Sequence, residues 1–179
     1  MHRITLKDKV FIPYISSDKI LKSVSAMAKK INIELENEYP VFLVVLNGSF
    51  MFAADLLKEV TIPCEISFIK LTSYEGITSS GQVSEIIGLT EEVTQRTVVI
   101  VEDIVDTGVT IQKLVSLLQA KNVKQIKIAS FLFKPEAYHK NIKVDYVGME
   151  IPNDFVVGYG LDYDGMGRNM NAVYVLDSN

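Results

Sequence analysis

Cysteine is nearly missing from this sequence. Cys64 stands alone among 179 residues, so no internal disulfide can form, and a reducing, cytoplasmic setting is expected. Long apolar runs are missing too. The longest, Val41 to Leu46, is far too short to cross a bilayer, and the opening MHRITLKDKV lacks the apolar core of a secretion signal, so no membrane is expected as a partner. Clustered positive charge is absent: the longest basic run is Lys29-Lys30 and the net charge is −4, which argues against a nucleic-acid partner. His2 and His139 have no partner pattern and are expected on the surface, and Cys64, in an apolar stretch, is expected to be an inert buried thiol. Two glycine-rich nucleotide motifs are also lacking. No G-x-x-x-x-G-K-S/T loop occurs, and no G-x-G-x-x-G follows an apolar run.

What remains is an ordinary globular composition, 48% hydrophobic and 22% charged, in a chain long enough to fold without a disulfide or metal staple. Residues 17–36 carry Ile20, Leu21, Val24, Met27, Ala28, Ile31 and Leu35 at helical spacing, with Ser17 or Asp18 as the expected cap. Val41–Leu46 is a continuous apolar run, as in strands covered on both faces. The turn Asn47-Gly48-Ser49 leads into an expected helix over Phe50–Val60. Further strands are expected at Cys64–Leu71, Ser84–Leu89, Thr97–Val101, Gln125–Phe133, Val144–Glu150, Phe155–Gly158 and Ala172–Leu176, with a helix over Val109–Ala120. Residues 72–83 are polar, hold two glycines and read as a long functional loop. The alternation implies an α/β fold with a central, mostly parallel sheet flanked by helices, in one domain, with ligands beyond the carboxyl ends of the strands.

One such end concentrates chemistry. Thr97–Val101 runs into Glu102-Asp103-Ile104-Val105-Asp106-Thr107-Gly108-Val109-Thr110 and then a helix. A helix N-terminus offers unpaired N–H groups and a positive dipole end to a phosphate, Thr107 and Thr110 add hydroxyl donors, and Gly108 permits close backbone approach. Carboxylates beside a phosphate cradle fit a ligand that also presents sugar hydroxyls and a magnesium ion. Acidic residues and threonines that merely cap a helix are the plainer alternative.

The full string resembles the phosphoribosyl pyrophosphate signature of the type I phosphoribosyltransferases. Other segments are similar to the hypoxanthine-guanine phosphoribosyltransferases, in family order from about residue 40 to 168: Leu46-Asn47-Gly48-Ser49-Phe50-Met51-Phe52, Leu71-Thr72-Ser73-Tyr74, Phe133-Lys134-Pro135-Glu136, and the stretch from Val147 to Tyr163. The resemblance implies purine salvage: 5-phosphoribosyl passes from phosphoribosyl pyrophosphate to hypoxanthine, with guanine as a second base, giving IMP or GMP and pyrophosphate. A xanthine-preferring transferase and a non-catalytic nucleotide-sensing regulator on the same fold are the alternatives.

The same resemblance implies the site. Glu102 and Asp103 hold the ribose hydroxyls, directly or through magnesium, and Asp162 is a further metal ligand. Asp106 is the general base near purine N7, and Asp106, Thr107, Gly108, Val109 and Thr110 wrap the 5′-phosphate. Leu46, Asn47, Gly48, Ser73, Tyr74 and Arg168 serve the pyrophosphate, with Tyr74 on a closing lid. Lys134 donates to O6, Phe155 stacks on the ring, and backbone near Val156 and Asp162 reads the remaining edge. A small hood over the base, from the N-terminal segment and residues 144–179, is implied, as is a homodimer or homotetramer. A cis peptide at Leu46–Asn47 is implied too. Asn47 and Val109 depart from the family, which often carries lysine at the first position and a longer or basic residue at the second, and the wording of residues 165–169 also differs.

Overall fold

Chain direction and strand burial set the architecture. In a computed structural model, residues 2–72, 84–87, 89 and 91–177 are described. Thirteen elements follow one another: β1 (Ile4–Leu6), β2 (Lys9–Ile15), α1 (Ser17–Glu34), β3 (Val41–Val45), α2 (Phe50–Glu59), β4 (Glu65–Thr72), β5 (Ser84–Ile87), β6 (Thr97–Val105), α3 (Val109–Ala120), β7 (Gln125–Phe133), β8 (Tyr146–Glu150), β9 (Val156–Val157) and β10 (Val173–Leu176). The main sheet has the order β5-β4-β3-β6-β7-β8. Its five strands from β4 to β8 are parallel, and β5 is added antiparallel at the edge. This is the central parallel sheet expected from the sequence.

Helices cover both faces of that sheet, which is why β3 reads as an unbroken apolar run. Phe42 and Val44 pack with the buried face of α1 and α2, while Val41, Leu43 and Val45 pack with Ile111, Leu114 and Leu118 of α3. Burying each such side chain contributes about 1.5–3 kcal/mol. α1 buries Ile20, Val24, Met27, Ala28 and Ile31, one side of a helix. Its cap is Ser16, whose hydroxyl accepts from the Lys19 N–H, rather than Ser17 or Asp18; Leu21 faces outward.

A second, antiparallel sheet of order β1-β2-β10-β9 joins the two ends of the chain. Its β1 and β2 were not expected as strands. Pro13 lowers the strand signal, because proline cannot donate to a ladder. The structure tolerates it beyond the short β1, which pairs only Lys9, Val10 and Phe11 of β2. β6 extends four residues past the expected Val101, so Glu102 and Asp103 lie within the strand. Thr72 ends β4; the rest of the expected 72–83 loop, Ser73 and Tyr74 included, lies outside the described residues. Among the described residues no helix is long and apolar enough to cross a membrane.

Candidate active site

The adjacent parallel strands β3, β6 and β7 end side by side, and each delivers one group of candidate residues. β3 leads into Leu46-Asn47-Gly48-Ser49, and the Leu46–Asn47 peptide bond is cis, as the resemblance implied. β6 carries Glu102 and Asp103 and ends just before Asp106. β7 ends just before Lys134, whose N–H donates to the Val105 carbonyl at 3.0 Å.

Glu102 and Asp103 form a coupled pair. Asp103 is 8% exposed, its Oδ1 accepts the Ile104 N–H at 2.8 Å, and its side chain is hydrogen-bonded to Glu102. Burial raises the proton affinity of both carboxyls; Glu102 is raised further by the neighbouring Asp103 charge and by their hydrogen bond, whereas the Ile104 N–H first, then Glu102 and Arg168, pull Asp103 partly back. Glu102 Oε2 is buried with no hydrogen-bond partner. Gly48 lies directly against this pair: a Cβ there would sit 1.6 Å from Asp103 Oδ2. Only glycine lets the β3 loop approach the β6 carboxylates so closely.

Beyond β6, Asp106 is half-buried, Thr107, Val109 and Thr110 are exposed, and Gly108 caps α3 with φ of +77°, in the left-handed region that favours glycine. No side chain caps α3, and its first helical bond runs from the Gln112 N–H to the Gly108 carbonyl at 2.9 Å. The loop therefore presents backbone N–H groups and two threonine hydroxyls, with exposed Val109 adding no charge.

Lys134 is 7% exposed, which is rare for lysine and requires a partner. Its Nζ lies 3.0 Å from Asp106 Oδ2 and 3.4 Å from Asn153 Oδ1. Phe155, by contrast, is 45% exposed. Its ring is held by Phe11 at 6.1 Å and, edge-on, by Tyr163 at 5.9 Å, with Lys9 Nζ 5.8 Å from its centroid. Tyr163 in turn donates to Asp8 Oδ1 at 2.8 Å. Val156, the residue after Phe155, is buried in β9 and belongs to the core shared with α1 and α2.

Arg168 closes the remaining side. It donates to the Gly160 carbonyl at 2.7 Å and pairs with Asp162 Oδ1 at 2.6 Å, while Asp162 Oδ2 accepts the Gly165 N–H at 2.7 Å. Among the described residues no three carboxylate, histidine or cysteine side chains gather as a ready-made metal cage. The Glu102–Asp103 pair nevertheless suits a hard cation, with buried oxygen donors, mutual repulsion and an orphaned Oε2. Magnesium takes only one or two protein carboxylates and completes its shell with substrate oxygens and water.

Sequence reasoning missed Asn153, Phe11, Lys9, Tyr163 and Gly160. Gly160, at φ of +99°, sits so close to the Gly48 carbonyl that a Cβ would lie 1.9 Å from its oxygen. The glycine alone could have signalled that approach; the hood contacts span chain ends and leave no local pattern. His2 and His139 are exposed as expected, and Cys64 is half-buried, its thiol made harder to ionise by that burial.

Comparison with known proteins agrees with this geometry. The model of the phosphoribosyl transferase domain family matches residues 15–164. The hypoxanthine-guanine phosphoribosyltransferase of Bacillus subtilis is 40% identical over 163 residues, 90% of this chain and 91% of the relative. That of Lactococcus lactis is also 40% identical, over 90% of this chain and 88% of the relative. A crystal structure of a Bacillus anthracis hypoxanthine-guanine phosphoribosyltransferase with a HEPES molecule in the active site superposes with a TM-score of 0.87 at 32% identity, covering 95% of this chain and 99% of the other. A ternary substrates complex of a mutant Trypanosoma cruzi hypoxanthine phosphoribosyltransferase gives 0.86 at 34% identity, covering 93% and 95%. A central parallel sheet with the Asp106–Thr110 loop at the end of β6, a family model over residues 15–164, and relatives this similar over nearly the whole length lead to one conclusion: the chain belongs to the phosphoribosyltransferase family.

Proposed function

We propose that this protein transfers 5-phosphoribosyl from phosphoribosyl pyrophosphate to hypoxanthine and guanine, giving IMP or GMP and pyrophosphate, in purine salvage. The observation that carries this reading is the buried Lys134 ammonium, 3.0 Å from the half-buried Asp106 carboxylate and next to the phosphate loop. One cation and one carboxylate suit a ligand that presents a keto oxygen and an N–H side by side, as the O6 and N7 edge of a 6-oxopurine does. Adenine presents an amine where the lysine needs an acceptor.

In this reading the purine slides between Lys134 and Asp106. Lys134 exchanges its bond to Asp106 for one to O6, and Asn153 keeps the ammonium in place. Phe155 stacks on the ring, and backbone at Val156 and Asp162 reads the far edge. As the C1′–O bond to pyrophosphate breaks and N9 bonds to C1′, the sugar passes through a cation-like state. Asp106 accepts the N7 proton that the product purine must lose.

The backbone N–H groups of Asp106–Thr110, with the Thr107 and Thr110 hydroxyls, hold the 5′-phosphate. Glu102 and Asp103 hold the ribose hydroxyls, directly or through a magnesium ion. When bound, magnesium offsets the charge of the leaving pyrophosphate. Leu46, Asn47, Gly48, Ser73, Tyr74 and Arg168 receive that pyrophosphate. Asn47 and Val109 carry no charge, so Arg168 supplies the cation on this side.

We also read residues 1–179 as one domain whose hood is the small sheet, working as a cytoplasmic homodimer or homotetramer. The functional reading is tested by incubating the purified protein with hypoxanthine, phosphoribosyl pyrophosphate and magnesium. Stoichiometric IMP and pyrophosphate are expected; absence of IMP under these conditions would refute it.

A further inference from the structure

We infer that Tyr159 and Asp55, which touch no expected substrate atom, are positioning residues that fix the pyrophosphate side of the site. The inference rests on the reading above and concerns one turn, residues 158–161, that leaves β9 and passes over the β3 loop.

Tyr159 is the unusual residue of that turn. It is a non-glycine with φ of +51°, and it is only 2% exposed. Left-handed backbone at a bulky residue persists only where its surroundings demand it. Two groups hold it. Its ring meets Phe131 edge-on at 4.9 Å, and Phe131 meets Phe52 of α2 at 5.8 Å. Its hydroxyl donates to Asp55 Oδ2 at 2.8 Å, while Asp55 Oδ1 is engaged by Lys58 at 2.6 Å. Lys58 thus leaves the other carboxylate oxygen for the phenol. Burial and the Asp55 charge together keep that phenol protonated, so it remains a donor.

Both ends of this link lead to the site. Asp55 lies on α2, the helix that continues from the Leu46–Ser49 loop. Tyr159 is followed by Gly160, which rests against the Gly48 carbonyl and exchanges hydrogen bonds with Arg168: the Gly160 N–H donates to the Arg168 carbonyl at 2.9 Å, and the Arg168 guanidinium donates to the Gly160 carbonyl at 2.7 Å. Gly48 in turn lies against Asp103. The link therefore sets the gap between the β3 loop and the Arg168 turn. The hydroxyl–carboxylate bond itself involves neither Lys134 nor Phe155, which read the base in this reading; the Tyr159 ring, kept in Tyr159→Phe, is the part that packs on Phe131 of β7.

The test is a split between two substrates. Tyr159→Phe keeps the ring and removes the hydroxyl; it raises KM for phosphoribosyl pyrophosphate, and for pyrophosphate in the reverse direction, by about tenfold, and leaves KM for hypoxanthine unchanged. Asp55→Ala, which removes the acceptor from the other side, repeats the split. Asp55→Asn, whose amide oxygen still accepts the hydrogen bond from the phenol, restores both constants. An unchanged KM for phosphoribosyl pyrophosphate in Tyr159→Phe and Asp55→Ala overturns the inference, as does an equal rise for both substrates. If wild-type protein forms no IMP, the functional reading fails instead, so the two failures are distinct.

Discussion

Lys134 Nζ lies 3.0 Å from Asp106 Oδ2, joining the ends of β7 and β6 through one ion pair. The lysine side chain is 9% exposed and the aspartate 43%. A nearly sealed cation is thus satisfied by a carboxylate that can still be approached. The pair is poised for exchange: a ligand with an acceptor and a donor at the right spacing replaces one bond with two.

Asp106→Asn keeps the shape of that partner and removes its basicity. A positioned general base is worth about 10²–10⁴-fold in rate. The turnover number for hypoxanthine falls by that order in the variant, while IMP binding, followed by calorimetry, survives. Near-normal turnover would mean that another group takes the proton.

On the proposed reading, Lys134→Ala removes a charged hydrogen bond to the base, worth about 1.5–3 kcal/mol or roughly ten- to a hundredfold. The Michaelis constant for hypoxanthine rises by that factor and the one for phosphoribosyl pyrophosphate far less. Steady-state kinetics with each substrate varied in turn reads the difference. Equal rises would detach Lys134 from the purine.

Removal of divalent metal bears on Glu102 and Asp103. Their burial and mutual repulsion favour binding of a cation as well as of protons. Excess chelator abolishes turnover, and added magnesium restores it. Full activity in chelator would show that the two carboxylates meet the ribose without metal.

Two buried tyrosines give the fold an alkaline limit. Tyr146 donates to Glu34 at 2.9 Å and Tyr159 to Asp55 at 2.8 Å. Burial first, then the facing carboxylate, raises both phenols well above their ordinary range. Their stabilising contribution is complete below the unfolded pKa of about 10, and it is lost as pH rises further, because only the unfolded phenol then ionises. Denaturant unfolding across that range shows stability falling with pH in the wild type and falling less steeply in Tyr159→Phe. Identical slopes would mean that Tyr159 ionises as readily folded as unfolded.

How far these features are legible in the sequence depends on their range along the chain. Val41–Val45 declares a strand covered on both faces, because each of its residues is apolar and each is buried. Glu102 to Thr110 declares a candidate site at a strand end because its acidic, hydroxylic and glycine residues are contiguous. Lys134 is legible by its place just after an apolar strand. The Tyr159–Asp55 bond is not, since it joins residues 104 apart with no shared periodicity. Neither is β2, where Pro13 masks a strand that gains its partner from β10 at the far end of the chain. The Asp162–Arg168 pair is not legible either, because it is a matter of turn geometry at Gly165 and Gly167.

The central claim is that Lys134 and Asp106 together select a 6-oxopurine for phosphoribosyl transfer. Pyrophosphate release measured with hypoxanthine, guanine, xanthine and adenine in parallel, each with phosphoribosyl pyrophosphate and magnesium, tests it most directly. Hypoxanthine and guanine are turned over and adenine is not, because its exocyclic amine offers Lys134 a donor where an acceptor is needed. Turnover of adenine at a rate equal to that of hypoxanthine, or activity with xanthine alone, would contradict it.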